Sequence, residues 1–110
     1  MRRKDDFWLI NLSKLTTARR VSVMLRRAAV LKLGAERDQA VLDVSGKYST
    51  SGKIADLKYA VTTRRQAAAT YRTDAVNIIK RQNRGGIARL LAAGEPAVVE
   101  LTMCVLGGQS

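Results

Sequence analysis

A chain of 110 residues can bury one hydrophobic core but not two, so residues 1–110 are expected to form a single domain. Apolar residues make up 46% of the chain and aromatics only 5%, which favours an aliphatic, alanine-rich interior of close-packed helices over a β-sandwich. Twenty Lys and Arg against nine Asp and Glu give a net charge of +11, which implies an anionic partner; the absence of histidine and the single Cys104 exclude a zinc site and an internal disulfide.

The chain begins MRRKDDFWLINL, where Asp5 and Asp6 interrupt the basic start and the apolar run is too short for a signal peptide. No stretch approaches the ~20 apolar residues of a membrane helix, so a soluble, cytoplasmic protein without membrane contact is expected. Trp8, Ile10 and Leu12 alternate, making DFWLINL a candidate β-strand. Ser13 can then cap a helix from near Lys14, whose apolar face recurs at Val21, Met24, Ala28, Leu31 and Ala35. Val23, Val30 and Leu33 lie off that face and give the helix a second apolar side. Gly34 can end this helix or sit inside it. Val41, Leu42 and Val44 fit a last helical turn or a short strand, with the balance towards helix. Residues 45–53, SGKYSTSGK, read as an exposed loop.

The next segment carries the strongest periodicity. Ile54, Leu57, Val61, Arg64, Ala68, Tyr71, Ala75, Ile78 and Gln82 step by three and four, and only Arg64 and Gln82 break the apolar seam. No Gly or Pro occurs from Lys53 to Arg84, which allows one helix of up to ~45 Å, stopped by Gly85 and Gly86. A helix-turn-helix fits residues 62–86 loosely, with DAVNIIKRQ as recognition helix. The usual turn glycine is missing there, and the seam runs unbroken through Thr70, Tyr71 and Arg72, which favours an uninterrupted helix. IARLLAA predicts a short helix ending at Gly94. After Pro96, Val99, Leu101, Met103 and Val105 alternate with Glu100, Thr102 and Cys104, the pattern of a second strand with Cys104 in the core. The expected fold is therefore mainly α: an antiparallel hairpin of two long helices and a short third helix, with short N- and C-terminal β-strands that pair with each other or build a homodimer.

The cations follow the helices. Lys14 to Arg37 holds seven bases against Glu36, and Lys53 to Arg84 holds eight against Asp56 and Asp74, so each segment carries +6. Spacing by seven sets Arg19 with Arg26, Arg20 with Arg27, and Lys58 with Arg65 and Arg72 in stripes that can track a phosphate backbone. Ordinary solvated helix faces mix Glu with Lys for favourable i,i+4 pairs, and Glu is nearly absent here. Thirteen of the twenty bases are Arg, whose planar fork can grip phosphate bidentately. The expected ligand is nucleic acid, DNA or RNA, bound with little sequence specificity. The expected contacts are Arg19, Arg20, Arg26, Arg27, Lys58, Arg64, Arg65, Arg72, Lys80, Arg81 and Arg84. Tyr48, beside Lys47 in the basic loop, suits either base stacking or packing over a helix end. Phosphate-loop and dinucleotide glycine patterns are absent, so neither a cofactor nor an enzyme is expected. The acidic pairs Asp5–Asp6 and Asp38–Asp43 read as charge balance. The competing expectation is a small interaction protein, an assembly subunit, adaptor or inhibitor that docks on an acidic protein surface, supported by the second apolar side of the first helix and by strand edges open to a partner.

Overall fold

The computed structural model of the chain describes residues 8, 10–45 and 51–108, and the regular structure among them is helical throughout. A 3-10 turn at Leu12–Lys14 leads into α1 (Thr17–Ser45), α2 (Ser51–Lys80), α3 (Arg84–Ala92) and α4 (Pro96–Leu106).

Local chemistry sets each boundary. The Asn11 side chain accepts from the Ser13 amide at 3.1 Å and the Ser13 hydroxyl at 2.7 Å, so Ser13 belongs to the turn rather than capping a helix at Lys14. Capping of α1 falls to Thr16, whose hydroxyl accepts from the Arg19 amide at 3.3 Å. The helix then runs through Gly34 and the Val41–Val44 stretch to Ser45. Of the expected loop, Ser45 and residues 51–53 are helical, and residues 46–50, with Lys47 and Tyr48, lie outside the described residues.

α2 is unbroken through Thr70–Arg72, which leaves no turn there for a helix-turn-helix. It stops at Lys80, four residues before Arg84, because Gln82 folds back onto its last carbonyls: the Gln82 side-chain amide donates to Ile78 O at 3.1 Å and its backbone N–H to Ile79 O at 3.1 Å. Asn83 then caps α3, accepting from the Gly86 amide at 2.8 Å. Gly85 and Gly86 thus form the first turn of α3 instead of terminating α2. Gly94, at φ +71°, supplies the left-handed residue after α3.

The C-terminal segment is a helix and not the expected strand. Pro96 occupies the first turn of α4, where its fixed φ suits a helix and its missing N–H leaves nothing unsatisfied. Val98, Leu101 and Thr102 are buried and Val105 packs against them, which is one face at helical spacing. The alternating set includes Met103, which is 57% exposed. Thr102 can sit on the buried face because its hydroxyl donates to Val98 O at 2.7 Å. Cys104 therefore lies on a helix, half-buried. At the other end Trp8 is helical, Ile10 and Asn11 are irregular and Leu12 belongs to the 3-10 turn; residues 6, 7 and 9 of that expected strand lie outside the described residues. With no strand among the described residues, the strand-edge route to a dimer has no basis.

α1 and α2 run antiparallel along each other, and α3 and α4 cover only one end of the pair. There Val21 and Met24 of α1, Ala75, Val76 and Ile79 of α2, Leu90 of α3, and Val98 and Leu101 of α4 form the core. The Ser22 hydroxyl donates to the Glu95 carboxylate and ties the start of α4 to α1. Towards the far end Ala35 and Val61 alone are buried between the two helices among the described residues. The radius of gyration is 17.1 Å, against about 13 Å for a compact chain of this length. The fold therefore holds long helix faces out in solvent.

Candidate nucleic-acid interface

The structure divides the predicted cationic residues by what each guanidinium touches. Arg27 is 5% exposed, lies 5.7 Å from the ring centroids of both Trp8 and Tyr71, and donates to Ile10 O at 3.2 Å. About two turns earlier, Arg20 donates through Nε to Leu12 O at 2.9 Å and through Nη2 to Ser13 O at 3.5 Å. Both side chains fasten the N-terminal approach onto α1. Arg64, the cation in the α2 seam, reaches across to the Asp38 carboxylate and to Gly34 O at 3.3 Å. Gly34 makes the room for it: a Cβ there would sit 3.3 Å from Arg64 Cδ. These three arginines hold the fold together.

Arg19, Arg26, Lys58, Arg65, Arg72, Lys80, Arg81 and Arg84 are all exposed, but they do not form one surface. Arg65 and Arg72 line a groove of about 440 Å³ between α1 and α2, together with Lys32, Leu25 and four alanines, Ala28, Ala29, Ala68 and Ala69. Nothing longer than a methyl group projects from the alanines, so the three cations supply the polar chemistry of the groove. None of the three has a carboxylate within ion-pair distance among the described residues. Lys58, seven residues before Arg65, extends the α2 stripe along the same face. Past Leu25 and Arg72 the groove meets α4 at Ala97, Leu101 and Cys104, where Glu100 introduces an acid. The cationic track therefore runs away from α4 towards the far end of the hairpin.

Lys80, Arg81 and Arg84 form a second group at the α2–α3 corner. Arg84 is the first residue of α3, whose first turn contains no acid, so its charge adds to the positive end of the helix dipole. Arg19 and Arg26 lie elsewhere, with Arg26 about 120° around α1 from Lys32 at 100° per residue. Sequence spacing missed Lys32 because it belongs to no i+7 set. Its signal is the antiparallel register: Gly34 faces Arg64, which brings Lys32 alongside Arg65.

Among the described residues no group of three or more His, Cys, Asp or Glu is placed to hold a metal ion; Asp38 is engaged by Arg64, and Asp43 accepts from Gln39 at 2.9 Å. No described helix is long and apolar enough to cross a membrane. No protein-family model matches the chain, and no curated protein or solved structure is significantly similar to it.

Proposed function

We propose that this protein binds nucleic acid along the α1–α2 groove, holding phosphates with Lys32, Lys58, Arg65 and Arg72. The observation that carries this reading is the convergence of three exposed cations from two helices on one groove, none of them with a carboxylate within ion-pair distance among the described residues. Arg65 and Arg72 are seven residues apart, about 10.5 Å along the helix axis, close to three base steps of ~3.4 Å. Two helix segments of +6 side by side repel each other, and a bound polyanion relieves that repulsion. Lys80, Arg81 and Arg84 offer a second contact region at the corner. Affinity then comes from phosphate neutralisation, with little dependence on base sequence.

The test compares two double variants of equal charge loss in fluorescence anisotropy with labelled 20-nucleotide single strands and duplexes, both DNA and RNA. Arg65→Gln with Arg72→Gln should weaken binding about tenfold or more, whereas Arg19→Gln with Arg26→Gln should change it about twofold. Equal losses would show that net charge alone is at work and would remove the groove assignment. Absence of wild-type binding at low salt would remove the function itself.

A further inference from the structure

A second long face of the hairpin carries different chemistry. Val30, Leu33, Val41 and Val44 of α1 are 50%, 55%, 45% and 76% exposed. At 100° per residue they fall within an arc of roughly 80°, and they extend over about 21 Å of helix. Scattered exposed apolar residues are ordinary, but these four form a stripe of two pairs on one face over four turns, Val30–Leu33 and Val41–Val44, with Arg37 between them. α3 and α4 lie at the other end of the hairpin and leave the stripe uncovered. A groove of about 670 Å³ opens beside the Val30–Leu33 half of this face, lined by Trp8, Gly34 and Arg37 and, towards α2, by the Asp38–Arg64 pair. Its depth comes in part from Gly34, which has no side chain to fill it.

The charges inside the arc of the stripe are positive, while the exposed acid Glu36 stands beside it, about 60° round the helix from Leu33. Arg26 and Arg37 lie on the same face, are exposed, and have no carboxylate within ion-pair distance among the described residues. The nearby acid Asp38 is already engaged by Arg64, and Asp43 by Gln39. A second copy of this chain is a poor occupant. The stripe is centred on Arg37, so a symmetric partner sets Arg37 against Arg37 whether the helices run parallel or antiparallel, between two chains that each carry +11. A helix with the opposite charge has no such conflict.

We infer that this face docks an acidic amphipathic helix of another protein, about four turns long. Its apolar side lies on Val30, Leu33, Val41 and Val44, and its carboxylates meet Arg26 and Arg37. The face is separate from the Lys32–Arg65–Arg72 groove, so this inference stands independently of nucleic-acid binding.

The probe is a labelled 18-residue synthetic peptide with Leu at helical spacing of three and four and Glu at most other positions, with a scrambled peptide of the same composition as control. The expected result is binding of the amphipathic peptide at least about tenfold tighter than the scrambled one. Leu33→Gln with Val44→Gln should weaken it about tenfold. Both side chains are exposed, so helicity, melting temperature and nucleic-acid binding should stay unchanged. Equal affinity for the two peptides would reduce the interaction to charge and overturn the proposal. It is also overturned if affinity is lost with Arg65→Gln and Arg72→Gln but kept with the Leu33 and Val44 changes, since the peptide then sits in the other groove. A solution mass that rises with concentration and falls back with Leu33→Gln would make a second copy the occupant instead.

Discussion

Truncating Val98 and Met103 to alanine in separate variants tests how α4 is placed on the hairpin. Val98 is fully buried among Val21, Met24, Ile79, Leu90 and Leu101, whereas Met103 is 57% exposed. Val98→Ala removes two methyl-sized groups, about 1.6 kcal/mol of transfer free energy at ~0.8 kcal/mol each, and a cavity that relaxes incompletely adds about 1 kcal/mol. A total near 2.5 kcal/mol corresponds to a fall in melting temperature on the order of 10 °C for a domain of this size. Met103→Ala should stay within about 0.5 kcal/mol. Thermal and urea unfolding followed by far-UV circular dichroism read both variants, and the native helical signal should be unchanged. If Met103→Ala destabilised by about 2 kcal/mol while Val98→Ala did not, the alternating face of residues 99–105 would be the buried one, and a helical α4 would be refuted.

Two further outcomes follow from the hairpin. Gly34→Ala gains up to about 1 kcal/mol of helix propensity, but its Cβ presses on Arg64 Cδ at 3.3 Å. The gain should therefore be larger when Arg64 is also Ala, and a double-mutant cycle from urea unfolding with zero coupling would contradict the Gly34–Arg64 contact. Saturating duplex or single strand, at about 100 times its dissociation constant, should stabilise the fold by about 2.7 kcal/mol, seen as a rise in melting temperature of roughly 10 °C; no shift at low salt would count against the groove.

The long helices were legible because their buried positions are apolar and repeat at helical spacing: Val21, Met24 and Ala35 in α1, and Val61 and Ala75 in α2, with half-buried Ile78 beside them. The C-terminal helix was misread because its buried face includes Thr102, whose hydroxyl is satisfied by its own helix, while exposed Met103 completes a false alternation. The better signal was Pro96 at the start with Gly107 just past the end, the usual asymmetry of a helix. The candidate site was legible only as charge. Spacing by seven cannot separate Arg20 and Arg27 from Arg19 and Arg26, because the difference lies in what packs over each: the 3-10 turn and Trp8 in one case, solvent in the other. Arg64 did carry a warning, since a cation inside an apolar seam must find a partner, and Asp38 provides it across the hairpin. Lys32 became visible only once the register of the two helices was known.

The salt dependence of binding by the wild-type protein, freed of co-purifying nucleic acid, tests most directly whether the groove holds phosphates through four cations. Four neutralised phosphates give a slope of about −3.6 in log affinity against log salt for duplex DNA, and about −2.8 for a single strand. Between about 50 and 200 mM salt the affinity should therefore fall roughly 150-fold or 50-fold respectively. A slope near zero, or no binding at the lowest salt, would contradict the account.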